Sequence, residues 1–295
     1  MKLHVINTGF FKLDGGAMFG VVPKTLWSKT NAPDDNNLCT WAMRCLLIED
    51  GERLILIDNG IGEKQDAKFF SHYYLSGSDS LEKSLKAKGF SFDDITDMFL
   101  THLHFDHCGG SIKYNDDKTK LETVFKNATY WSHAEHWEWA TKPNAREKAS
   151  FLKENILPVH ESGQLTFVEN KKDDSKKWGE FLETKQLGEN ISIMLVRGHT
   201  NAMMIPHIKY KGKILVYMAD LMPSTGHIPI PYVMGYDTRP LITLGEKEKF
   251  LNEAADKEFV LYFEHDSANE CCTLQRTEKG IRLKETFSLR DYFGD

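Results

Sequence analysis

The sequence has no hydrophobic run approaching the roughly 18 apolar residues needed to cross a bilayer, so a membrane-spanning helix is not expected. It has no excess of basic charge: 37 Lys and Arg against 43 Asp and Glu leave a formal net charge of −6. A nucleic-acid backbone is therefore not the expected partner, because such proteins usually carry a basic excess or stripe. The Lys-rich stretch at residues 171–177 is broken by Asp173 and Asp174 and reads as a solvated loop. Cysteine is scarce. Cys39, Cys45, Cys108, Cys271 and Cys272 are an odd number with no Cys-x-x-Cys spacing, which argues against a thiolate metal knuckle. They read as reduced thiols, and no apolar leader with a small-residue cleavage site follows Met1, so the expected location is the cytoplasm. No Pro/Gly/Ser-rich linker and no period of about 20–50 residues divides the chain. With 295 residues, 41% of them hydrophobic, a single domain over residues 1–295 is expected.

Short strands are expected at residues 2–8, 17–22, 40–48 and 53–57, separated by turn signals such as Asp14-Gly15-Gly16 and Glu49-Asp50-Gly51. Residues 62–74 and 80–88 read as helices, the second with Ser80 as N-cap and Gly89 as stop. A buried strand at 95–100 and another at 128–131 follow, then helices at 133–141 and 144–152. Strands return at 191–196, 203–210 and 213–219; a helix at 240–255, a buried strand at 259–263 and two tail strands at 273–276 and 280–284 complete the chain. This order implies an α/β fold with two sheets in the middle and helices outside.

The most informative segment is Thr101-His102-Leu103-His104-Phe105-Asp106-His107-Cys108-Gly109-Gly110, directly after an apolar strand. Alternate side chains of an extended backbone point the same way, so His102 and His104 can reach one ion together. Asp106 and His107 follow as the chain turns, with two glycines permitting a tight bend. Four donors in six residues are hard to explain as packing. Three more ligand-type residues stand at the ends of expected strands: His199 in Gly198-His199-Thr200, Asp220 after residues 214–219, and His265 in Phe263-Glu264-His265-Asp266. Five histidines and two aspartates without sulfur suit zinc best, with iron, manganese and cobalt as alternatives. Two ions sharing seven ligands would each keep an open position, as catalysis requires.

Through the His-x-His-x-Asp-His string, Gly-His-Thr, the strand-ending Asp220 and the late His265, the chain resembles the metallo-β-lactamase superfamily. The resemblance implies a four-layer αββα sandwich of two mixed sheets with outer helices. It also implies that His102, His104 and His199 bind a first divalent ion, that Asp106, His107 and His265 bind a second, and that Asp220 bridges both. Asp58, in Leu56-Ile57-Asp58-Asn59-Gly60, looks like the family residue that orients a ligand histidine through its other ring nitrogen. Thr200 falls in the same outer shell.

A hydroxide shared by two ions is the expected nucleophile, because metal binding lowers the pKa of water from about 16 to near 7. Asp106 is the expected carrier of its proton to the leaving group, with Asp220 as the catalytic bridge. Within the superfamily the ligand set is similar to that of quorum-quenching lactonases and methyl-parathion-hydrolase-like enzymes. Glyoxalase II-type thioesterases share it but add a helical domain, and only about thirty residues follow His265 here. The expected reaction is hydrolysis of a lactone, carboxylic ester or phosphotriester with apolar substituents. The alternatives are an iron-dependent sulfur dioxygenase-like oxidoreductase and a glyoxalase II-like thioesterase. Lactonases of this type carry a tyrosine where Pro223 stands, which leaves His227 or Tyr232 as a replacement donor. Met18, Phe19, Phe69, Tyr73, Ile228, Tyr232 and Met234 are the expected pocket wall. His133 and His136, three residues apart, read as surface side chains, and Cys108 as buried and inert. The expected partner is a small molecule, without nucleic acid or membrane; a homodimer is the assembly considered.

Overall fold

The computed structural model describes residues 1–169, 180–182 and 185–294; the Lys-rich stretch at 171–177 lies outside them. In chain order the strands are β1 (Lys2–Asp14), β2 (Leu38–Asp50), β3 (Arg53–Ile57), β4 (Asp97–Phe99), β5 (Ile112–Tyr114), β6 (Leu121–Thr123), β7 (Thr129–Ser132) and β8 (Leu165–Phe167). They continue with β9 (Glu180–Leu182), β10 (Ile191–Val196), β11 (Met203–Tyr210), β12 (Lys213–Tyr217), β13 (Val260–Tyr262), β14 (Cys271–Thr277) and β15 (Gly280–Phe287). The helices are α1 (Gly15–Phe19), α2 (Lys24–Trp27), α3 (Ala67–Ser71), α4 (Leu81–Ala87), α5 (Phe105–Cys108), α6 (Ala134–Thr141), α7 (Lys153–Glu161), α8 (Pro240–Asp256) and α9 (Leu289–Phe293). The class is α/β, as expected. No helix among the described residues is long and apolar enough to cross a membrane.

Two compact units emerge, each from two stretches of chain: Met1–Phe11 with Ala42–Val168, and Lys12–Trp41 with Glu169–Asp295. The first unit carries most of a six-stranded sheet in the order β1-β2-β3-β4-β7-β8. It is mixed: β2 and β3 run antiparallel, whereas β3, β4, β7 and β8 run parallel. Ile55, Leu56 and Ile57 of β3 are buried, each stabilising the unit by roughly 1.5–3 kcal/mol. Leu56 joins Ile6, Leu47, Met98, Phe125 and Tyr130 in one core. The parallel register Ile57↔Phe99 brings Asp58 beside the residues that follow β4, and the Asp58 N–H donates to Phe99 O at 2.9 Å.

The second unit holds a seven-stranded sheet in the order β15-β14-β13-β12-β11-β10-β9. Its one parallel pair among the described strands, β12 with β13, decides where the chemistry sits. Tyr217 is level with Tyr262, so Asp220 and His265, each three residues further on, leave the sheet at the same end. The connection between these strands contains α8, as a parallel crossover demands. His199 lies in the turn between β10 and β11, whose antiparallel register closes at Val196↔Met203.

Three expected elements differ. Residues 17–22 are not a strand: Asp14 accepts the Ala17 N–H at 2.8 Å and caps α1 instead. The helix expected at 62–74 shrinks to α3, capped by Asp66, which accepts the Phe69 N–H at 2.7 Å. Residues 144–152 form turns, because Asn144 Oδ1 accepts the N–H groups of both Arg146 and Glu147, and a helix begins only at Lys153.

Candidate metal centre

In the first unit, the chain leaves β4 and enters the short α5 with every donor of the loop buried: His102, His104, Asp106 and His107 are 8% exposed or less. Hydrogen-bond logic then fixes which ring nitrogen faces inward. Asp58 Oδ1 accepts the Thr101 N–H at 2.8 Å, and Oδ2 accepts the Thr101 hydroxyl at 2.7 Å. That hydroxyl has spent its only hydrogen, so at 3.1 Å it accepts from His102 Nδ1. His102 Nε2 is left with its lone pair. Asp58 Oδ2 also accepts from His107 Nδ1 at 3.1 Å, and His107 Nε2 lies 3.7 Å from Asp106. One carboxylate thus sets two imidazoles. Its backbone is strained to do so, with φ +54°.

His102 Nε2 and His104 Nδ1 approach to 3.1 Å. Two imidazole nitrogens that close, both turned inward, are the arrangement a shared cation satisfies. On its far side, His104 Nε2 lies 3.5 Å from Glu147, a carboxylate only 3% exposed. Gly109 and Gly110 do not serve as flexible turn residues here: Gly109 is right-handed, with φ −62°. They allow close approach instead, since a Cβ would stand 2.1 Å from Ile61 O and 2.3 Å from Asn59 O respectively.

In the second unit Asp220 spreads its two oxygens between two imidazoles: Oδ2 is 3.1 Å from His199 Nε2, and Oδ1 is 3.1 Å from His265 Nε2. Ala219, with φ +41°, turns Asp220 out of β12. The other nitrogen of His199 donates to Asp237 at 3.0 Å. Burial disfavours the charged His199 ring, but Asp220 and Asp237 outweigh it and raise the pKa to about 10. Such a site attracts positive charge. Buried His and Asp side chains of the chain form groups that fit a metal site, and their nitrogen and oxygen donors suit a divalent ion. Cys108 is no ligand: its thiol donates to Leu103 O, and burial pushes its pKa up to about 12. All five cysteines are buried thiols.

Several expected site residues have other roles. His227 is fully enclosed; its Nε2 donates to Met18 O at 2.9 Å, so its Nδ1 accepts from Ser224 at 2.8 Å. Both nitrogens are committed, and burial lowers its pKa to about 3, so it fastens a loop and is unsuited to proton donation. Phe19 is sandwiched between Trp27 and His227 at centroid distances of 5.3 and 4.3 Å, leaving no face for a ligand. Met18, Ile228 and Met234 are equally buried; Tyr232 packs edge-on against Phe19. Thr200 is buried without a hydrogen-bond partner for its hydroxyl among the described residues, and Asp237 is the carboxylate that holds His199. Phe69 and Tyr73 stay half-buried, packed against Phe105 at 5.4 and 4.8 Å. Burial, and then Asp106, raise the Tyr73 phenol to about 12. His133 and His136 are not surface residues, since each is 1% exposed. His136 Nε2 accepts the Leu103 N–H at 2.9 Å, and so supports the ligand loop directly. The first unit also contains a cavity of about 850 Å³ lined by Phe10, Asn59, Lys64, Leu81 and Tyr114, with none of the loop's four donors on its wall.

The metallo-beta-lactamase superfamily pattern matches residues 44–265, three quarters of the chain, and takes in all seven donors. The chain belongs to the metallo-β-lactamase superfamily. It has the metallo-β-lactamase fold. N-acyl homoserine lactonase AiiA of Bacillus thuringiensis subsp. kurstaki is 28% identical over 132 residues, 41% of this chain and 45% of that protein. A Bacillus cereus N-acyl homoserine lactonase is 27% identical over 167 residues, 53% of this chain and 56% of that protein. The chain thus matches about half the length of these curated relatives. Among solved structures, a probable metal-dependent hydrolase from Staphylococcus aureus aligns at a TM-score of 0.83 with 27% identity, covering 97% of this chain and 98% of that one. AidC, a dizinc quorum-quenching lactonase, aligns at 0.74 with 23% identity over 98% of this chain and 97% of that one, a likeness of fold.

Proposed function

We propose that the two units are halves of one catalytic domain and that the protein is a dinuclear metal-dependent hydrolase. Its substrate would be a lactone, carboxylic ester or phosphotriester with apolar substituents. The observation that carries this reading is the preset tautomer of the imidazoles: His102, His107 and His199 each commit one nitrogen to an outer hydrogen bond and turn the other inward. His102, His104 and His199 would hold one ion, Asp106, His107 and His265 the other, and Asp220 both. When bound, a pair of divalent ions, for which the donor set suits zinc, supplies an acidified water and a Lewis-acid contact for the electrophile's oxygen.

The chain's own residues do the rest. Asp106 takes the proton of the attacking water and delivers it to the leaving oxygen. Phe69, Tyr73 and Phe105 form an apolar wall beside Asp106 on which an acyl chain or aryl ester packs. The Tyr73 hydroxyl is the polar group on that wall. The buried thiols support a reducing compartment, the cytoplasm. Turnover of acyl-homoserine lactones, aryl esters and aryl phosphotriesters by zinc-loaded protein tests the reading. Hydrolysis of at least one class, abolished in Asp220→Ala, is expected. Oxygen uptake with a single bound iron, and no hydrolysis, would overturn it.

A further inference from the structure

The ligand loop of the first unit is held from behind by the segment that follows β7. His136 of α6 takes the Leu103 N–H, between the two histidines of the His-x-His pair. Ser150 O accepts the Phe105 N–H at 3.0 Å, just past His104. Glu147 sits between these two fixings. Its Oε2 accepts the Trp139 indole N–H at 2.6 Å and an Asn144 amide N–H at 2.7 Å, while Asn144 Oδ1 accepts the Glu147 N–H at 3.1 Å. Backbone and side chain are therefore pinned together. The other oxygen, Oε1, faces His104 Nε2 at 3.5 Å.

A carboxylate in an apolar interior is strongly disfavoured unless it meets a donor or a positive charge. Trp139 and Asn144 satisfy one oxygen, and the second faces the imidazole. A turn that needed only a cap for Asn144 would be served by a neutral side chain. We infer that Glu147 is a positioning residue: it holds His104 with the proton on Nε2, so that Nδ1 faces inward as the ligand nitrogen. Asp237 backs His199 with a 3.0 Å hydrogen bond and Glu147 stands 3.5 Å from His104, so two histidines assigned to one ion each have a buried carboxylate behind them.

The inference rests on the reading of His104 as an ion ligand, and its test separates the two. Zinc affinity is measured by chelator competition on the full chain, wild type beside Glu147→Gln, which keeps the size and most hydrogen bonds while removing the charge. One of two zinc affinities should weaken about 10–100-fold, with the other unchanged and with Glu147→Asp restoring part of the loss. Cobalt-loaded Glu147→Gln should show an altered visible spectrum at one site. Wild type that binds no zinc overturns both the ligand reading and the inference. Wild type that binds two zinc ions beside a Glu147→Gln protein of equal affinities and spectrum overturns the inference alone. Should the variant not fold, ring nitrogen resonances of zinc-loaded wild type decide: a proton on His104 Nε2 is expected, and one on Nδ1 contradicts it.

Discussion

Asp58 touches Thr101 twice and His107 once, and through Thr101 it reaches His102. Replacing it by Asn puts a donor where one oxygen accepts, which disturbs both imidazoles while preserving volume. Asp58→Asn should weaken zinc binding about 10–100-fold at more than one site, read by chelator competition. Unchanged affinity would show that the loop orients its own histidines. Asp58 was legible in the sequence through its resemblance to the family residue that orients a ligand histidine; its place at a strand-ending turn alone suggests only turn formation. Glu147, Asp237 and His136 were not. Each lies 33 to 43 residues in sequence from the donor or loop it supports and belongs to no local pattern. His133 and His136 were read as surface side chains because two histidines alone make a weak metal site. His227 misled for the opposite reason: a histidine near a missing tyrosine suggests chemistry, whereas its two nitrogens are consumed by Ser224 and Met18 O.

At the scale of elements, α8 acts as a double clamp within its unit. Glu246 accepts the N–H groups of Arg197 and Gly198 at 2.6 and 3.1 Å, just before His199. Lys247, 1% exposed, donates to the carbonyls of Pro229 and Tyr232 at 2.9 and 2.8 Å. Burial lowers the Lys247 pKa from 10.5 to about 7. Between those values the unfolded chain binds a proton that the folded chain lacks, so this residue's contribution makes stability rise with pH. Wild type should gain roughly 1–3 kcal/mol relative to Lys247→Met between pH 7 and pH 9.5, measured by urea unfolding. A constant difference would show that the amine keeps its ordinary pKa. The contact between residues 59–61 and 109–110 makes a second prediction. Gly110→Ala places a methyl 2.3 Å from Asn59 O, so it should cost about 1–3 kcal/mol of stability and lower the melting temperature. A variant as stable as wild type would mean that the two backbones separate freely. The sequence showed strands such as β3, β10 and β11 with correct ends because their apolar runs are bounded by turn residues. It hid α1 and overran the ends of α3, whose five-residue helices are set by Asp14 and Asp66 caps rather than by periodicity.

For the whole molecule, the proposed dinuclear centre draws its ligands from both stretches of chain, so on that proposal ion binding and folding should be coupled. Zinc at about 100 times its dissociation constant should add roughly 2.7 kcal/mol of stability, visible as a melting temperature raised by several degrees. The fold class was readable from element order and donor spacing. The chain's division into two units was not, because β1 and β2 each run from one unit into the other without a break in composition. Zinc content per chain, determined by elemental analysis after equilibration with buffered zinc, bears most directly on the proposed seven-ligand dinuclear centre. Two ions per wild-type chain are expected; one ion or none at saturating zinc would contradict it.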